Sequence, residues 1–209
     1  MFQTYLHELV RTRERTLATA SRLTQPQSDY SPGPGRWSIG EVLDHLRLAE
    51  DLYRGEVGRL VDLKRSGRPA RLTRTFSDIN VAPAYVPDAA LRWLGLPLTM
   101  MNSLVPDAVR DTMIQFSLLP ARNPDAATPH PGRPVADLRR DLEAGIAATR
   151  AVFYDNADLD FRELVSEHPL MGVSDGLRVL RFLDLHEQRH QAQMVRVLTD
   201  SRFPRASPA

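Results

Sequence analysis

Apolar residues recur at three- and four-residue steps along four long stretches of the chain, the spacing that puts side chains on one face of a helix. In the last stretch, residues 180–198 (LRFLDLHEQRHQAQMVRVL), that face carries Leu183, His186, His190, Met194 and Val197. The first stretch, residues 2–23, aligns Phe2, Leu6, Leu9, Leu17 and Ala20, with Arg13 interrupting an otherwise apolar stripe. Between them, residues 42–64 place Val42, His45, Ala49, Leu52 and Glu56 on one face. A further stretch from about Pro134 does the same with Leu138, Leu142, Ile146, Thr149 and Phe153.

Helix boundaries follow from local chemistry. Pro26, Pro32, Gly33, Pro34 and Gly35 predict a loop over residues 25–36. Ser38 and Glu41 have the spacing of a capping box, and Trp37 and Val42 that of a hydrophobic staple around it. Ser174 is the expected cap of the last helix. Residues 66–134 lack a sustained period. Pro87–Asp88 and Pro106–Asp107 each suit the start of a short helix, so this region is read as an inserted helical connection between helices two and three. It would cover one end of the bundle or form a subunit contact. The segment 201–209 (SRFPRASPA) is expected to be a disordered tail. No series of strands is evident. The prediction is a single all-α domain over residues 1–200, a four-helix bundle with one elaborate connection.

Composition narrows the chemistry. A chain of 209 residues with 42% hydrophobic and 25% charged positions is ordinary for a globular domain with its own core. The formal net charge of +1 leaves no electrostatic footprint for nucleic acid or an anionic membrane. With no cysteine, disulfides, thiolate metal sites and a cysteine nucleophile are excluded, so a metal site must use His, Asp or Glu. No apolar run is long enough to span a bilayer and no signal layout opens the chain, so a cytoplasmic address is expected.

Histidines on apolar faces then become the candidate chemistry. His186 and His190 lie one turn apart, with Cβ atoms roughly 5–6 Å from each other, and His45 sits on the inward stripe of another helix. Buried neutral imidazoles need partners for their ring nitrogens, and a shared metal ion would serve all three. Three imidazoles leave a coordination position open, as in catalytic zinc sites, although nickel and iron also accept such ligands. Glu187 completes an H-E-x-x-H pattern, whose glutamate is a general base in metalloproteases. The residues after His190 contain no His or Glu, with Asp200 the only acid, so a protease with a downstream third ligand is disfavoured. Glu187 is left between a place near the metal and a solvated helix face. His168, in HPLMG, reads as a loop histidine, with a fourth-ligand role as the alternative; His7 and His130 read as surface residues.

Two segments resemble a known family. GRWSIGEVLDHLRLAE (35–50) and HPLMGVSDGLRVLRFLDLHEQRHQAQM (168–194) look like the second-helix and C-terminal signatures of the DinB-like, YfiT-type four-helix bundles. The resemblance implies a divalent metal, zinc or nickel foremost, held by His45, His186 and His190, with Gln193 supporting the site from behind. It implies a metal-dependent enzyme acting on a small molecule, either a hydrolase or an S-transferase using a thiol of the mycothiol or bacillithiol type. The alternative is a non-catalytic metal-binding bundle that acts in stress response through a partner. A homodimer is also an expectation of the resemblance. The 66–134 insertion is longer than such bundles lead one to expect.

Overall fold

The computed structural model describes residues 1–74, 100, 103–116, 127–168 and 172–205. The helices are α1 (Phe2–Ala20), α2 (Gln25–Asp29), α3 (Ile39–Arg65), α4 (Asp107–Phe116), α5 (Val135–Tyr154) and α6 (Gly176–Leu198). Three short strands accompany them: β1 (Arg71–Thr73), β2 (Val165–His168) and β3 (Gly172–Asp175). The protein is mostly helical and its frame is the expected bundle: α1 and α3 each pack against both α5 and α6.

Capping starts α3 as the sequence predicts. The Glu41 N–H donates to the Ser38 hydroxyl at 3.1 Å, and the Ser38 N–H donates to the Glu41 carboxylate at 2.8 Å. Two donors that a helix start leaves without partners are thereby satisfied. The apolar stripes meet in two clusters. Phe2, Leu6, Leu9, Leu60, Phe153 and Leu180 fill one, while Ile39, Val42, Leu43, Leu138, Leu142 and Met194 fill the other.

A charged layer joins the helices within this interior. Arg13 of α1 donates from Nε and Nη2 to the two oxygens of Glu187 on α6, each at 2.9 Å. Its Nη1 donates to Glu50 of α3 at 2.8 Å and to the Leu142 carbonyl of α5 at 2.9 Å. The other Glu50 oxygen accepts from the Thr149 hydroxyl at 2.6 Å. One guanidinium therefore touches all three other helices of the bundle. Arg13, Glu50 and Glu187 are at most 2% exposed. Burial opposes charge on Arg13, yet Glu187 and Glu50 overcome it and push its pKa up. Gly145 of α5 makes room for this layer, since a Cβ there would lie 3.0 Å from a Glu50 oxygen.

Several boundaries differ from the sequence reading. α1 stops at Ala20, and the predicted proline loop opens with the short helix α2, because Pro26 falls in the first turn, where a missing N–H costs nothing. The cap of α6 is Asp175 rather than Ser174: its carboxylate accepts from the Leu177 and Arg178 N–H groups at 3.0 and 2.9 Å. Ser174 instead pairs with Ser166 across β2 and β3. The strands themselves are a correction. β1 from the insertion runs parallel to β2, which pairs antiparallel with β3. Three or four residues are too few to display a two-residue period.

Of the insertion, α4 begins directly after Pro106 as expected and packs on α6. The helix expected after Pro87 lies outside the described residues. The start of the tail is held rather than loose. Phe203 meets Tyr30 edge-on at 5.5 Å, and the Gln27 amide donates to the Pro204 carbonyl at 2.9 Å. Among the described residues no helix is long and apolar enough to cross a membrane.

Two stability measurements test this account. Ser38→Ala is expected to lower unfolding free energy by about 1 kcal/mol through the lost cap. Arg13→Met strands two buried carboxylates and is expected to cost about 3–5 kcal/mol in urea unfolding. Adding Glu50→Gln and Glu187→Gln should recover most of that loss, because no unpaired charge then remains; failure to recover it would mean Arg13 acts mainly through packing.

Candidate metal centre

The packing of α3 on α6 brings His45 against His186 and His190. The Nε2 atoms of His45 and His190 each lie 3.2 Å from Nε2 of His186, and one ring nitrogen from each residue falls within 4.8 Å of the others. All three residues are buried, at 3%, 9% and 2% exposure. Among the described residues this is the group of His and acidic side chains whose geometry could hold a metal ion.

Hydrogen bonds at the far side of two rings set their tautomers. His45 Nδ1 donates to the Ala127 carbonyl at 2.7 Å, and His190 Nδ1 donates to the Gln193 carbonyl oxygen at 2.9 Å. A neutral imidazole carries one hydrogen, so Nε2 of both rings presents a lone pair to the centre. Protonation is suppressed mainly by burial. It takes His190 down to about 3 and His186 well below its ordinary value, with the neighbouring imidazoles adding to the effect, and it lowers His45 despite the Ala127 hydrogen bond. A hydrogen on His186 Nε2 could satisfy one neighbour only. The lone pair of the other neighbour would then be left without a donor, and with no hydrogen on His186 Nε2 lone pairs would face one another across both 3.2 Å contacts.

A cation removes that conflict, and the donor set fits one. Nitrogens about 2.0–2.1 Å from a tetrahedral zinc ion stand roughly 3.3 Å apart, close to the two 3.2 Å separations here. Aromatic rings flank the group. Trp37 lies 4.9 Å from His45 and 6.1 Å from His190 between ring centres, and Phe182 stacks on His186 at 5.3 Å.

Glu187 is neither on a solvated face nor among the converging groups. It is buried, and both of its oxygens accept from Arg13. Gln193 lies where expected, behind His190. His168 is a strand residue rather than a loop histidine. It lines a cavity of about 320 Å³ with Tyr53, Glu56 and Phe182, outside the histidine group. Burial, then Arg74, lowers its pKa to about 4. His7 and His130 are exposed, as read.

Sequence reasoning missed the support given by the returning insertion. The Ala127 carbonyl leaves no side-chain signature. Asp44, next to His45 and fully buried, accepts from the His130 N–H at 2.9 Å and from Arg133 at 2.6 Å. Burial alone would raise its pKa, but these bonds and Arg47 hold it at about 2. His130 and Arg133 lie 86 and 89 residues beyond Asp44 in the chain, so no local spacing could have revealed that pairing.

A helical bundle with three convergent histidines defines a class of candidate metal-binding proteins. The sequence matches the family model of the DinB superfamily over residues 8–194, and the chain belongs to that superfamily. Searches of curated proteins and of solved structures found no match.

Gln193→Ala should weaken binding of added zinc about tenfold, by releasing the His190 ring. His186→Ala should abolish it. Calorimetric titration of the metal-free protein checks both, and equal affinities in wild type and Gln193→Ala would remove the orienting role.

Proposed function

We propose that this DinB-superfamily protein is a divalent-metal-dependent enzyme acting on a small molecule, with thiol S-transfer the better supported reaction and hydrolysis the second. The observation that carries this reading is the convergence of three neutral imidazoles, with no carboxylate among the described residues joining the group. His45, His186 and His190 would hold the ion, zinc or nickel, and leave it a further coordination position. The ion would supply Lewis acidity, which lowers the pKa of a thiol or water that it meets. Ala127 and Gln193 hold two rings with Nε2 toward the centre, and Trp37 and Phe182 limit water beside them.

The placement of Glu187 favours thiol transfer. Hydrolysis of the H-E-x-x-H kind uses the glutamate as a general base, and here Arg13 occupies both of its oxygens. A thiol needs less help, since its ordinary pKa of about 8.5 lies near neutrality. The absence of cysteine from the chain means that the sulfur would arrive on a cosubstrate.

Elemental analysis of the purified protein beside His45→Ala is the direct test. Near-stoichiometric zinc or nickel in the wild type and its loss in the variant are expected. Turnover of an electrophile with a low-molecular-weight thiol should disappear with the metal. Metal-replete protein that hydrolyses esters or amides without consuming thiol would replace the transferase reading by the hydrolase one.

A further inference from the structure

Arg189 stands between the two histidines of α6 and takes no part in the interactions described so far. It follows His186 by three residues and precedes His190 by one. At 100° per residue it shares a flank of α6 with Phe182 and Gln193, away from Glu187. It is half-buried, and among the described residues it makes no hydrogen bond or ion pair. Burial lowers its pKa and Arg196 adds to that, with no acid opposing them. Its charge is felt by all three imidazoles, including His45 on the other helix.

The electrostatics around it are one-sided. The three histidines are neutral donors. The acids that adjoin His45 and His186 in the chain are committed elsewhere, Asp44 to Arg47, Arg133 and His130, and Glu187 to Arg13. A divalent ion in the centre would add two positive charges beside an unpaired guanidinium. An anion entering there would meet both, in surroundings where desolvation strengthens a charge-assisted hydrogen bond.

We propose that Arg189 recognises a carboxylate on the small molecule that the centre takes, so that an acidic thiol or acidic substrate is selected over a neutral one. This inference rests on the metal-centre reading above. A single guanidinium fork matches one carboxylate in a bidentate pair.

Cobalt(II)-loaded full-length protein provides the test, with 3-mercaptopropionate and its uncharged analogue 3-mercaptopropan-1-ol as probes. Binding is followed by the sulfur-to-cobalt charge-transfer absorption. Wild type is expected to bind the acid about tenfold more tightly than the alcohol. Arg189→Gln should erase that preference while leaving cobalt content unchanged, and Arg189→Lys should keep part of it. Because Arg189 has no partner to strand, the variants are expected to fold normally. A preference that survives in Arg189→Gln, or that is missing from the wild type, overturns the proposal. Failure of the wild type to take up cobalt, visible before any thiol is added, overturns the metal reading and this inference with it.

Discussion

The ion pairs of Arg13 are the constraint on which the bundle depends. A buried guanidinium is tolerable only with acceptors on nearly every side, and here those acceptors come from the other three long helices. Leucines can slide past one another with modest loss, but the fork of Arg13 fits the Glu187 carboxylate in one register. That register matters because Glu187 lies between His186 and His190, while Glu50 lies five residues after His45. The layer that aligns α3 and α6 therefore also sets the separation of the histidines they carry.

The insertion adds a second constraint from outside the bundle. Its return segment places the Ala127 carbonyl on His45 and spends the His130 N–H and Arg133 on Asp44. Adjacent residues of α3 thus face two ways, one toward the centre and one toward the chain that orients it. A connection that looks like an irregular excursion contributes directly to the tautomer of a candidate ligand.

These two supports give the centre its chemical character. The carboxylates adjacent to the histidines in the chain, Asp44 and Glu187, each have a basic partner, and the converging atoms are neutral nitrogens. A site of that kind holds a metal without cancelling its charge, which favours anionic incoming groups and nucleophiles that ionise easily. In the H-E-x-x-H pattern, identical in letters to that of a hydrolytic metalloprotease, the glutamate here pairs with Arg13.

Much of this was legible in the sequence, for a definable reason. Helical period, the Ser38–Glu41 box and the inward placement of His45, His186 and His190 are local properties, set by which residues lie three or four apart. The two family signatures follow the same helices, so the bundle and the histidine group could be read together. The fate of Glu187, the strand pairing of Arg71 with Val165 and the Ala127 carbonyl on His45 depend on segments distant in the chain. Arg13 shows the division most clearly. Its place on an apolar stripe was visible as an anomaly, but a stripe does not name its partners. Only the packing of four helices could bring two carboxylates and a carbonyl to one guanidinium, because burial, which makes such pairing obligatory, is a property of the folded chain.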